Sequence, residues 1–194
     1  MQAMIKEYCK TLKIGRTFYL DYKDIEAASN EEFLLKLLKQ ELAQREISRK
    51  KRLLKSAGFD VLKTFQDYSF EYIDIPKTIS LESLKNAHFI KNKENLILYG
   101  PVGTGKTHLA TAIGVEACNQ GKAVKFFRTA ALVNQLSEAK ASGTLNKYMR
   151  QIQKCDLLIC DEWGYVPFEK GGAQLLFQVI SECYEKRSVI ITTN

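Results

Sequence analysis

Residues Gly100-Pro101-Val102-Gly103-Thr104-Gly105-Lys106-Thr107 set three glycines, a lysine and a hydroxyl at the spacing G-x-x-x-x-G-K-T, a pattern suited to holding a triphosphate. The chemistry explains the residue types. Successive backbone N–H groups must come close to phosphate oxygens, and only a turn stripped of side chains allows that approach. Lys106 then reaches the β- and γ-phosphates as a point charge, and Thr107 offers its hydroxyl to Mg²⁺. The helix that begins here adds its positive dipole end, and residues Gly100 to His108 form the candidate nucleotide-binding set. The apolar run Leu96-Ile97-Leu98-Tyr99 precedes the loop, as a strand must.

A second run, Leu157-Leu158-Ile159-Cys160, ends in Asp161 and Glu162. An acidic residue at the end of a buried strand is the second requirement of a phosphate-loop site, because the metal needs a carboxylate. Asp161 is the candidate metal ligand, directly or through water. Glu162 is the candidate general base that orients and polarises an attacking water. A third run, Val189-Ile190-Ile191-Thr192-Thr193, leads to Asn194, placed to contact the γ-phosphate or that water.

These residues need a sheet to converge. From Asn95 onward the pattern predicts a strand over 95–99, a helix over 106–119 closed by Gly121, and a strand over 123–127. Helices near 130–141 and 144–154, a strand over 156–160, a helix over 172–186 and a strand over 188–193 complete it. Regular alternation implies an α/β fold with a parallel sheet flanked by helices. Ligands of such sheets bind beyond the carboxyl ends of the strands, where the loop, Asp161, Glu162 and Asn194 all fall. Leu175, Val179 and Cys183, and Leu145, Tyr148 and Ile152, are the expected core faces of two helices.

Upstream the character changes. Residues 36 to 55 hold eight Lys or Arg against Glu41 and Glu46. Ser29-Asn30-Glu31-Glu32 offers a capping box, Leu34, Leu38 and Leu42 recur one turn apart, and Gly58 stops the run. The result is an amphipathic basic helix: a solvated face, or a surface for DNA phosphates or an acidic protein. Residues 59 to 79, with Pro76 and scattered aromatics, read as a connecting segment. The boundary expected from this is a small helical module and linker over 1–75 and an ATPase core over 76–194.

Bulk composition agrees. The chain has 194 residues, 45% hydrophobic and 26% charged, which suits one good-sized core with a small appended module. No apolar window is long enough to span a membrane, and the charged start lacks a secretory core, so a cytoplasmic location is expected. Five cysteines without a C-x-x-C pair, and only two histidines, exclude a zinc site or a histidine-based triad. The net charge of +7 favours a polyanionic partner.

The blocks EEFLLKLLKQELAQRE, KSAGF, KTFQDYSF, FIKNKENLILYGPVGTGKTHLATAIG, DLLICDEWG, GGAQLLFQVISECYE and SVIITTN together resemble the IstB-like transposition helper ATPases. These are a branch of the AAA+ P-loop NTPases related to the DnaC-type helicase loaders. The resemblance implies ATP and Mg²⁺ as cofactors, homo-oligomerisation on DNA, and delivery of target DNA to a partner transposase. It also implies that the basic N-terminal region contacts the transposase and that Thr129 to Lys154 faces DNA. A helicase loader acting at replication initiation, and a nucleotide-independent DNA- or partner-binding fragment, are the alternative readings.

Members of that family continue past the sensor strand into a further helix and strand with an arginine finger, and neither Arg150 nor Arg187 matches it. A truncated product is therefore expected, with Leu96 to Tyr99 as an unpaired edge and weak or absent ATP turnover.

Overall fold

The computed structural model describes residues 1–164 and 170–194. They form two compact units, Met1–Arg52 and Leu53–Asn194. The sequence grouped residues 53–75 with the N-terminal module. In the structure this stretch belongs to the larger unit, because Leu53, Leu54, Phe59, Phe65, Tyr68, Phe70, Ile73 and Ile75 pack against its core.

The smaller unit holds helix α1 (Gln2–Thr11), helix α2 (Arg16–Leu20) and most of helix α3 (Asn30–Ala57). The capping box forms as read. The Glu32 N–H donates to Ser29 Oγ, and the Glu32 carboxylate reaches back to the Ala28 N–H. The core here is thin: Cys9, Tyr19 and Leu37 are buried together with Glu41. Glu41 Oε1 accepts the Gly15 N–H at 2.8 Å and the Arg45 Nε–H at 2.7 Å, which offsets part of the cost of burial, while Oε2 is buried without a hydrogen-bond partner among the described residues. Leu34, Leu38 and Leu42 do not join this core; they are 53%, 46% and 66% exposed.

The larger unit carries the sheet: β1 (Leu96–Tyr99), β2 (Val124–Arg128), β3 (Leu157–Trp163) and β4 (Ser188–Thr193). All pairings are parallel and the order is β1-β4-β3-β2. Along β3 the side chains alternate between two cores, as the strand period of two demands. Leu157 and Ile159 face the layer of helix α6 (Lys106–Asn119), with Leu109, Ile113 and Ala117. Leu158 and Cys160 face helices α7 (Thr129–Ala141), α8 (Leu145–Ile152) and α9 (Lys170–Cys183), through Leu132, Leu136, Ile152, Leu175 and Val179. Burial on both faces is why this strand reads as an unbroken apolar run.

The expected helix faces are in these cores, with Leu175, Val179, Cys183 and Ile152 buried and Leu145 and Tyr148 packed at the margin. Two short helices, α4 (Leu81–Lys85) and α5 (Phe89–Asn92), contribute Leu84, Phe89 and Ile90 to the α6 layer. Among the described strands β1 is an edge, with Ile97 69% and Tyr99 78% exposed. Two fine differences matter for the site. β3 continues beyond residue 160 to include Asp161, Glu162 and Trp163, and α9 ends at Cys183 rather than 186.

Candidate functional site

Strand order decides which ends meet. With β4 between β1 and β3, the loop after β1, the acids of β3 and the end of β4 lie at one rim of the sheet. The Gly100 N–H donates to the Thr193 carbonyl at 3.3 Å, so the glycine loop starts pinned to β4. The loop enters α6 through Gly105, whose φ of +82° favours glycine. A Cβ there would also lie 3.0 Å from the Tyr68 ring, close enough that the ring would have to give by a few tenths of an ångström.

Lys106 extends back along the loop. Its ammonium donates to the carbonyls of Gly100 and Pro101 and to Asn194 Oδ1 at 3.1 Å. Thr104 closes the turn by donating to the Pro101 carbonyl at 2.9 Å. Val102, Gly103, Thr104, Gly105, Lys106 and Thr107, with Glu162 and Thr192, line a pocket of about 330 Å³. His108 faces elsewhere: its Nε2 lies 2.9 Å from the Thr64 carbonyl and its ring 5.1 Å from that of Tyr68.

Asp161 is the hub of the rim. It is 2% exposed, and the Thr107 hydroxyl lies 3.0 Å from both of its carboxylate oxygens. Thr192 donates to Asp161 Oδ1 at 2.6 Å, and Thr129 donates to the Asp161 carbonyl at 2.7 Å. The β3–β4 register shifts between Cys160 and Trp163, and at this irregularity Glu162 takes a φ of +58°. A bulge of this kind re-aims side chains, and here it turns Glu162 into the pocket wall while Asp161 stays buried. The Glu162 N–H donates to Thr192 Oγ1 at 2.9 Å.

The donor set fits Mg²⁺. A hydroxyl and a carboxylate are hard oxygen donors, and that ion takes one or two protein oxygens and completes its shell with phosphate and water. Among the described residues no group of three or more His, Cys, Asp or Glu is arranged to hold a metal by itself. Thiol chemistry has no place here. All five cysteines are buried and unpaired, and burial pushes the thiols of Cys118 and Cys155 up to about 11 and about 12.

A phosphate loop, a buried acid beside its threonine and a parallel sheet in this order define the fold group, and a family model decides within it. The model described as "IstB-like ATP binding protein" matches residues 19–194. The chain belongs to that family. It is 34% identical over 199 residues to the ATP-binding protein of insertion sequence IS5376 from Geobacillus stearothermophilus, covering all of this chain and 79% of the relative. Against the ATP-binding protein of IS21 from Pseudomonas aeruginosa it is 36% identical over 163 residues, covering 84% of this chain and 62% of the relative. The chain thus spans roughly three fifths to four fifths of the length of these relatives.

Among solved structures, AMPPCP-bound DnaA from Aquifex aeolicus superposes with a TM-score of 0.52 at 25% identity, covering 66% of this chain and 42% of that one. The DnaC helicase loader gives 0.52 at 22% identity, covering 64% and 75%, a likeness of fold. No helix among the described residues is long and apolar enough to cross a membrane.

Within this IstB-like chain the structure brings Lys106, Thr107, Asp161, Glu162 and Asn194 to one rim. Sequence reasoning missed Thr129 and Thr192, which hold Asp161, and Thr64 and Tyr68, which hold His108. Thr192 looked like an ordinary β-former and Thr129 like the plain first residue of a helix. Only the strand order reveals that both point at Asp161.

Proposed function

We propose that this chain is the ATP-dependent helper of a DNA transposition system. It takes ATP with Mg²⁺ in the rim pocket, self-associates on DNA, and presents target DNA to a partner transposase in the cytoplasm. The contact of Thr107 with both oxygens of buried Asp161 carries the nucleotide half of this reading, because it couples a phosphate loop to a metal-binding acid. The names of the relatives, ATP-binding proteins of insertion sequences, support the transposition half.

Roles follow from position. Lys106 exchanges neutral carbonyl acceptors for charged phosphate oxygens, a stronger pairing. Thr107 and Asp161 hold the ion, whose contribution is to neutralise charge developing between the β- and γ-phosphates. Glu162, exposed at the pocket wall, orients a water as general base. Asn194, already within 3.1 Å of the Lys106 ammonium, sits where it senses the γ-phosphate.

The test is DNA affinity measured with and without ATP and Mg²⁺, beside calorimetry of nucleotide uptake. Magnesium-dependent ATP binding that tightens DNA binding is the expected result. DNA affinity that ignores nucleotide identifies a nucleotide-independent binder. Binding to a replicative helicase in place of a transposase identifies a loader.

A further inference from the structure

We propose that α3 is a self-complementary docking face, on which a second copy of this chain packs its own α3 antiparallel. The inference concerns the smaller unit alone and does not depend on nucleotide. Glu31, Leu34, Leu38, Leu42 and Arg45 recur at spacings of three and four, which on a helix confines them to an arc of about 80°. All five are solvent-facing. Leu34, Leu38 and Leu42 are 53%, 46% and 66% exposed, the Arg45 side chain is 55% exposed, and Glu31 is exposed. Leu37 and Glu41 are the residues α3 buries in its own unit.

A stripe that reads acid, three leucines, base has one partner already on the page: itself, reversed. Laid antiparallel about a twofold axis through Leu38, Leu38 meets Leu38 of the second copy, Leu34 meets Leu42, and Glu31 meets Arg45, each of the last two occurring twice. A parallel arrangement puts Glu31 on Glu31 and Arg45 on Arg45, and like charges reject it. Arg45 can serve both roles. Its Nε and Nη2 are used within the unit by Glu41 and the Lys13 carbonyl, and a guanidinium has five N–H donors. Nucleic acid does not fit the face, since a phosphate backbone offers nothing to three leucines.

The stripe spans four turns, about 21 Å from Glu31 to Arg45. An interface of this length falls at the small end for specific association, so a dimer in reversible exchange at about micromolar concentration is expected.

Sedimentation equilibrium of the full chain without nucleotide, across a range of concentrations, tests this. A monomer–dimer equilibrium is expected. Leu38→Lys and Leu38→Glu, each setting like charges face to face on the axis, should weaken it at least about tenfold. Mixed one to one, the two variants should regain the dimer, because lysine then meets glutamate. Glu31→Arg should weaken the dimer as well, with an effect that fades as salt rises.

A chain that stays monomeric throughout overturns the proposal. So does a dimer indifferent to substitution at position 38, or a mixture that recovers nothing. If circular dichroism shows that a position 38 variant loses helix, Leu34→Glu mixed with Leu42→Lys tests the same register at its flanking contact.

Discussion

Thr192 and Asp161, on adjacent parallel strands, share a 2.6 Å hydrogen bond between side chains that are 1% and 2% exposed. The same Thr192 oxygen accepts the Glu162 N–H at 2.9 Å. One hydroxyl therefore orients the candidate metal ligand and anchors the backbone of the candidate base in its left-handed conformation. Such a φ in a non-glycine residue persists only where the surroundings hold it.

Replacing Thr192 by valine keeps the shape and removes both bonds. A buried carboxylate then loses one donor and a backbone N–H loses its acceptor, at a cost of about 1–3 kcal/mol. The expected outcome is a lower urea midpoint together with weaker magnesium dependence of nucleotide binding. Thr192→Ser, which retains the hydroxyl, should restore both. If valine lowers stability and leaves the magnesium dependence untouched, Thr192 is structural only.

That relationship marks the limit of what the chain discloses before it is folded. The phosphate loop was legible because its chemistry dictates residue types at fixed spacing, and Asp161 and Glu162 because a strand buried on both faces ends in them. Thr129 and Thr192 were not. Their significance lies in the order β1-β4-β3-β2, which sets Thr192 of β4 on one side of Asp161 and Thr129, the first residue of α7 after β2, on the other, and which alternation alone does not specify. α3 gives a parallel lesson. Periodicity showed a helix and its capping box, yet Leu37 and Glu41 turn inward while Leu34, Leu38 and Leu42 stay outside, and spacing along one helix does not say which of its flanks the neighbours cover. The unit boundary moved for a similar reason: the aromatics of 59–75 looked like a linker and are packed on the core.

Lys106→Ala separates the loop's fold from its affinity. Among the described residues the lysine donates to the Gly100 and Pro101 carbonyls and to the Asn194 side chain, all exposed or half-exposed contacts, so its loss should shift the melting temperature by no more than about 4 °C. Facing a triphosphate, it is a charged partner whose removal costs about 2–5 kcal/mol, on the order of thirtyfold or more in affinity. Calorimetry with ATP and Mg²⁺, beside a thermal melt, measures both quantities on one preparation.

Gly105→Ala meets two separate penalties. A left-handed φ of +82° costs an alanine about 1–3 kcal/mol, and its Cβ would stand 3.0 Å from the Tyr68 ring. Thermal melts should show the variant destabilised and calorimetry should show nucleotide binding impaired. Adding Tyr68→Ala to Gly105→Ala removes the crowding and leaves the backbone strain. The double variant should therefore recover nucleotide binding only in part, and full recovery would mean that the ring contact alone requires glycine here.

Stability should decline with alkali through the buried thiols. Burial raises Cys155 from 9.0 to about 12 and Cys118 from 9.0 to about 11. For an acid whose folded pKa is raised, the sign is fixed: above pH 9 the unfolded chain releases these protons and the folded chain keeps them. Stability thus falls as pH climbs, and is fully retained only below the unfolded value. Urea midpoints at about pH 8, 9 and 10 should decrease in that order. Cys155→Ala should start from a lower midpoint at about pH 8, since a buried sulfur is lost, and should then fall less steeply. A slope identical to that of the parent chain would assign the alkaline loss to groups other than Cys155.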